Sequence, residues 1–486
     1  MGPTDPALTA PRRSWRWPVA LAAATSVALR LRFLATPLGV DEAGAVAVAR
    51  GWGDGAHLYV DLFIDRPQGM LLAFQGWMAL FGHSAASLRL LAATAGVVVV
   101  LAAAVAARAI GGSDRAGVAA AWLVAIVSSS AAIEGYAANG ELLAGACTVP
   151  AFAVGALVVC RRLRPPWMVA AGLLAGAGLA VKQSGFDVAL ALGLWLLLAA
   201  WQRWRTGREV AALLGWLVLG VGAAVAALAV HGASLGWDAY TYAMWGFRIH
   251  ARSLVAGAQP RRFAITLLVA APLIGPMLVV GALRLRILRP LAGRWRPEHA
   301  LVLLWVAVAV TGFGAGGNYH RHYWIQLTFP LAVAAAIAMA ARTADLTRPL
   351  VASLAVPLAI SLVLIAAPRL ERDPRVDRDR ALAAWYLDHR ASPNDDLLPL
   401  CASVTFFTDA DRTPVYPYLW VDHVRSARGA RARLIDLLDG PDRPTYLALH
   451  QRPEVCDPSG RLAATLRRGY QQVAVVDGVP VLEARS

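Results

Sequence analysis

ASLRLLAATAGVVVVLAAAVAA, residues 86–107, runs for 22 residues with a single charge, Arg89, near its start. A helix on the surface of a soluble protein shows a polar stripe every third or fourth residue. None exists here, and about 20 apolar residues is the length that crosses a bilayer. Working outward, runs of the same kind appear at 15–35 upstream, then at 116–133, 143–160, 167–181, 186–200 and 210–230. Four more follow at 263–283, 300–313, 324–341 and 350–367, with those at 186–200 and 300–313 short for a span. Composition agrees: 58% of residues are hydrophobic and 16% charged, against about 25% charged in soluble domains. A soluble enzyme, a disordered scaffold and a disulfide-knotted module are excluded. The chain reads as a polytopic α-helical membrane protein with eleven spans.

The net charge of +15 invites a nucleic-acid reading, so its location matters. From Leu370 onward 16 Arg face 17 acids, whereas the first 369 residues hold 30 basic residues against 14 acids. The excess therefore lies in the membrane part, spread over loops with no aromatic-interleaved groove, and no nucleic-acid partner is expected. Alternate loops sort by charge. One set, including Arg12, Arg13, Arg108, Arg161, Arg203, the cluster from Arg284 to Arg296 and Arg342, holds 18 basic residues; the other holds 8. By the positive-inside rule the N-terminal tail, residues 1–14, is cytoplasmic, and an odd number of spans puts the C-terminus outside. The tail is too polar and Pro-rich for a signal peptide. The outer loops then carry nine of the fourteen membrane-part acids. Titratable groups beside the bilayer are where a lipid-linked substrate presents its head group.

Residues 370–486 alternate helical stretches (380–389, 427–438, 461–470) with strand-like runs (397–407, 445–450, 472–476, 479–483), which predicts a small extracytoplasmic α/β domain after a membrane domain of residues 15–369. Cys401 and Cys456 both fall in it; a disulfide and two free thiols are both open readings. Cys147 and Cys160 sit in a span as apolar filler, and no CxxC or HExxH motif marks a zinc site.

Upstream of residues 86–107 lies the first outer loop, residues 36–85. It reads as two interfacial helices, 41–50 and 67–81, joined by a Gly- and acid-rich connector. Asp41 and Glu42 open the first, where carboxylates favour a helix N-terminus, and Asp65-Arg66-Pro67 opens the second. The order Asp41-Glu42, Gly53, Tyr59, Asp61, Asp65-Arg66-Pro67, Phe81-Gly82 and Arg89 resembles the GT-C glycosyltransferases. It is most similar to the branch holding lipid A aminoarabinose transferases, protein O-mannosyltransferases and rhizobial lipopolysaccharide transferases.

The resemblance implies transfer of a sugar from a polyprenyl-phosphate donor to a cell-envelope acceptor on the outer face of a bacterial plasma membrane. It implies Asp41 as general base, with Glu42 and Asp65 completing the catalytic set. Arg66 is implied as a phosphate ligand, with Tyr59 and Asp61 near the substrate. Where that branch carries Pro-Pro this chain has Pro67-Gln68, and where the aminoarabinose transferases carry Arg it has Gly44, so aminoarabinose is not the expected sugar. Another phosphate contact must come from later loops. Lys182, the only Lys among 46 basic residues, and the His320-Arg321-His322 segment are the candidates. Glu141 is preferred to Glu134 as a substrate-binding acid. Arg248, with Asp238, Tyr240, Tyr242 and His250, lies in a loop expected to close over the acceptor. No cofactor is implied with certainty; a divalent cation, magnesium or calcium, on Asp41, Glu42 and Glu141 is the open option. The competing class is a transporter or flippase of lipid-linked sugars. It expects internal repeats and mid-membrane charge, whereas here, apart from Arg30 and Arg32 near the end of the first span, the span interiors lack charge and no repeat is seen.

Overall fold

The computed structural model describes residues 15–288, 296–340, 345–367, 373–390, 392, 395–401 and 404–485. The tail 1–14, Arg289, Arg294, Arg342 and the boundary expected at 369–370 lie outside the described residues.

Helices fall on all eleven expected runs: α1 (Arg16–Leu31), α4 (Ala85–Gly111), α5 (Asp114–Val127), α6 (Gly140–Val159), α7 (Met168–Val181) and α8 (Asp187–Trp201), then α9 (Gly207–Ser234), α12 (Gln259–Leu288), α13 (Pro297–Gly316), α14 (Tyr323–Ala340) and α15 (Thr347–Ala366). Among the described residues eight of these are long and apolar enough to cross a bilayer, and α1, α5 and α7, at 16, 14 and 14 residues, are shorter. Between α1 and α4 lie two shorter helices, α2 (Val40–Gly53) and α3 (Gln68–Phe81), where two were expected. Polar caps punctuate the apolar runs. Ser84 accepts from the Ser87 amide (3.2 Å) to start α4, and Asn139 accepts from Leu142 (2.9 Å) to start α6. Small residues let spans approach closely. A Cβ on Gly172 of α7 would lie 2.5 Å from the Leu217 carbonyl oxygen of α9, and one on Gly220 would lie 2.2 Å from that of Val169.

Three readings need correction. The stretches that looked short extend to full spans: with a 3₁₀ turn, residues Gln183–Trp201 give 19 residues, and Pro297–Gly316 gives 20. The run 116–133 instead breaks at Ser128, and a separate turn, Ala131–Ile133, follows. The breaker is Arg30 of α1, buried, whose guanidinium donates to the carbonyls of Gly135 (2.8 Å), Ser128 (3.0 Å) and Ser26 (3.0 Å). A charge in the bilayer is thereby satisfied by backbone dipoles that would otherwise continue a helix. The aromatic stretch after α9 is helical too: α10 (Trp237–Thr241), a π-helical turn (Tyr242–Gly246) and α11 (Phe247–Val255).

The C-terminal region is the expected α/β domain: α16 (Pro374–His389), β1 (Leu397–Leu400), α17 (Thr405–Asp409), α18 (Val421–Ser426), α19 (Ala430–Asp439), β2 (Tyr446–Leu449), α20 (Pro453–Cys456), α21 (Arg461–Gly469), β3 (Tyr470–Val476) and β4 (Val479–Ala484). Strand order is β1-β2-β4-β3, with β1 and β2 parallel and the other pairs antiparallel. The single strand expected over 397–407 stops at Leu400 and its end is helix α17. Cys401 and Cys456 form a disulfide. The domain is seated on the loop between α1 and α4: Phe63 donates its amide to the Pro417 carbonyl (3.0 Å), and Arg433 donates to the Val60 carbonyl (2.9 Å). Its seat puts the chain between β1 and β2 against α2, where Trp420 meets Gly44 and Thr413 meets Gly51.

Candidate active site

A cavity of about 380 Å³ opens where the loop between α1 and α4, the starts of α6 and α14, α11 and the C-terminal domain meet. Asp41, in the first turn of α2, places its carboxylate on the wall and leaves it 55% exposed. Glu42, the next residue, is buried and also borders the cavity. Its oxygens accept from the amides of Gly39 (3.2 Å) and Ala138 (2.6 Å) and pair with Arg89, which also donates to the Pro37 carbonyl (2.7 Å). Glu42 thus ties α2 to α4 and to the loop between α5 and α6, a structural part beside the catalytic one expected of it.

Asp65 and Arg66 reach the cavity from the loop before α3. Arg248 of α11 pairs with Asp65 (2.9 Å), and His423 of the C-terminal domain stands 3.7 Å from its other oxygen. Burial pushes the Asp65 carboxyl up, but Arg248 and Arg66 outweigh it and hold the group well below the usual carboxylate range. Burial likewise weakens the Arg66 cation, and Asp65 more than restores it. The buried Nη1 of Arg66 has no hydrogen-bond partner among the described residues. An ionised donor left without an acceptor at a cavity wall is what an incoming anion needs.

His322, just before α14, donates through Nδ1 to Glu134 (2.7 Å), while its Nε2 stands 3.9 Å from both Asp41 and Glu141. Burial would lower its pKa; Glu141 and Glu134 raise it to about 9. His320 stacks parallel on His322 with centroids 5.5 Å apart and shares the cavity. Glu141, in the first turn of α6, is buried and paired with Lys182, whose ammonium also sits 4.1 Å above the Tyr323 ring. Lys182 lines a second, 40 Å³ cavity that shares Arg248 and Tyr323 with the first.

Several expected site residues lie elsewhere. Tyr59 is buried and faces away: its hydroxyl donates to the Arg66 carbonyl (3.0 Å), so it shapes the loop and not the cavity. Asp61 accepts from the His57 amide (2.9 Å) and has no place on the wall. Arg321 is exposed and is not among the residues that line the cavity. Of the loop expected to cover an acceptor, Arg248 reaches the site; Tyr240 packs against Tyr59, and Tyr242 takes the Arg428 amide (2.7 Å). With Glu42 paired to Arg89 and Glu141 to Lys182, the donor set expected for a cation is already taken. Among the described residues no three His, Cys, Asp or Glu are arranged to hold one, so no step is derived through a metal.

Sequence reading missed Trp420, Asp422 and His423, which the C-terminal domain lends to the wall. The signal was there in Trp-Val-Asp-His, polar residues between apolar ones that no strand or helix core requires. Their position explains Gly44. A Cβ there would lie 2.2 Å from the Trp420 ring, so no arginine can stand one turn after Asp41.

No protein-family model matches the chain, and no curated protein sequence does. Solved structures do. The chain is similar to ArnT from Cupriavidus metallidurans bound to undecaprenyl phosphate, with 15% identity, a TM-score of 0.63 and coverage of 96% of this chain and 98% of that one. It is similar to the Archaeoglobus fulgidus oligosaccharyltransferase tethered to an acceptor peptide (14% identity, TM-score 0.59, 95% and 72% covered). The AglB oligosaccharyltransferase from Archaeoglobus fulgidus, in complex with an inhibitory peptide and a dolichol-phosphate, is a third (13%, 0.54, 90% and 69%). At such identities the likeness is one of fold.

Proposed function

We propose that this chain, which has the GT-C fold of a multi-pass membrane protein, is a glycosyltransferase that moves a sugar from a polyprenyl-phosphate donor to a cell-envelope acceptor on the outer face of a bacterial plasma membrane. One observation carries the reading: a single cavity holds an exposed carboxylate, Asp41, together with a guanidinium, Arg66, whose Nη1 is unpartnered. A carboxylate that can take a proton and a cation that can meet an anion share one cavity, which supports the reading.

Asp41 takes the proton of an acceptor hydroxyl, and that oxygen attacks the anomeric carbon. The bond from this carbon to the phosphate oxygen breaks, and its electron pair leaves with the polyprenyl phosphate. Arg66 and Arg248 meet the charge that develops there, with the Lys182 ammonium behind them. Asp65 holds the two arginines in place. His322, kept cationic by its carboxylates, lies beside Asp41. One displacement inverts the anomeric centre and needs no carboxylate nucleophile.

The test is transfer by the reconstituted protein from radiolabelled polyprenyl-phosphate sugars to envelope acceptors. Asp41→Asn is expected to lower transfer by about 10²–10⁴-fold while undecaprenyl phosphate still binds. Equal transfer by the variant would remove Asp41 as the base.

A further inference from the structure

The cavity has two kinds of wall. One is cationic, built from Arg66 and Arg248 beside Asp65. The other meets the C-terminal domain and is acidic and aromatic. Trp420 is half-buried against Gly44, three residues on from Asp41 and so on the same face of α2. Asp422 is exposed on the wall and has no ion-pair partner among the described residues. Next to it His423 is buried, its side chain 7% exposed, and its Nδ1 has no hydrogen-bond partner. Trp245 adds a second indole, 60% exposed, from the π-helical turn before α11.

We propose that this second wall, resting on the donor reading above, is a subsite for a neutral, hydroxyl-rich glycan, which makes the acceptor a carbohydrate chain. A sugar ring has an apolar C–H face and a rim of hydroxyls. The indole of Trp420 suits the face, and a carboxylate such as Asp422, which only accepts, suits the rim. Two exposed carboxylates, Asp41 and Asp422, repel an anionic acceptor, so phosphorylated or uronic chains are disfavoured. A lipid acceptor would need an apolar wall where these acids stand. The volume, 380 Å³, falls within the usual range for small-molecule sites. The C-terminal domain thereby selects the acceptor while the membrane domain holds the donor.

The experiment uses the full chain in liposomes with undecaprenyl-phosphate-linked sugar donors and three acceptor classes: neutral oligosaccharides of mannose, arabinose and galactose; Ser/Thr peptides; and a lipid without sugar. Transfer to at least one oligosaccharide is expected. Trp420→Ala should raise the oligosaccharide KM by about tenfold, and Asp422→Asn by about fivefold, with the donor KM within about twofold of wild type. Because Trp420→Ala also empties a packed interface, the exposed Asp422→Asn decides the matter. Donor binding without transfer to any oligosaccharide, or transfer to peptide or lipid that Asp422→Asn leaves unchanged, overturns the glycan subsite and leaves the donor site standing. Loss of undecaprenyl phosphate binding by the wild type removes both.

Discussion

Two arginines flank the same short helix pair and have opposite surroundings. Arg89 is sealed: its side chain is 1% exposed, paired with Glu42, bonded to the Pro37 carbonyl and set 4.7 Å from the Tyr136 ring. Arg66 stands at a cavity with a buried donor unspent. The chemistry of the two groups is identical, and each keeps one buried nitrogen without a partner, Nε in Arg89 and Nη1 in Arg66, so it is the cavity that separates joinery from a site. A cation paired and sealed away from the cavity holds the chain together. A cation with a donor to spare at the cavity wall is placed for something that arrives.

Removing each cation sharpens the contrast. Arg89→Ala leaves Glu42 charged and buried, and breaking such a pair typically costs about 3–5 kcal/mol. The thermal unfolding of detergent-solubilised protein should fall accordingly. Arg89→Lys should recover little of it, because a point charge cannot replace a fork that reaches Glu42 and Pro37 at once. Arg66→Ala should unfold close to wild type, since Asp65 keeps Arg248. Its undecaprenyl phosphate affinity should drop by about 10-fold or more, the value of a charge-assisted hydrogen bond. Titration calorimetry reads this directly. If Arg66→Ala unfolds as readily as Arg89→Ala, the distinction is lost.

That distinction also marks where sequence reading succeeds and stops. The spans were legible because a bilayer imposes one length and one polarity on every crossing helix. The loop acids were legible because charge beside a bilayer is conspicuous. What a single sequence does not show is who faces whom. Asp41 and Glu42 are adjacent and chemically alike, yet Ala138 and Arg89, far along the chain, decide that one is sealed and the other open. Lys182 stood out by its rarity, but its pairing with Glu141 depends on how α6 meets α7. Trp420 and His423 belong to a domain some 350 residues after Asp65, and the contact between them follows from docking that periodicity does not encode.

A smaller effect tests the His322 surroundings. Folded, this imidazole titrates near 9 against an ordinary value of 6.5. A raised pKa means its contribution to stability is complete below about pH 6.5 and is lost as pH climbs through about 9. Wild-type unfolding temperature should therefore decline across that window. Glu134→Gln removes the carboxylate that accepts from Nδ1, and its decline should be shallower, with Glu141 still in place. A wild-type profile that is flat from pH 6.5 to 9 would mean that the carboxylates do not hold the charge.

The smallest effect belongs to Asp61, a residue whose motif position marks it for the site and whose geometry does not. Its side chain is 45% exposed, bonds to the amide of His57 four residues earlier and stands 4.0 Å from Arg433. An exposed pair of this kind contributes little because water and salt screen it, so Asp61→Asn should change stability by less than about 1 kcal/mol. Transfer and undecaprenyl phosphate affinity should both stay near wild type, in contrast to Arg66→Ala five positions away. A loss of transfer in Asp61→Asn comparable to that in Asp41→Asn would mean that the loop between α2 and α3 moves its acids into the cavity when substrate binds. The line between sealed and open charges would then have to be drawn on the bound state.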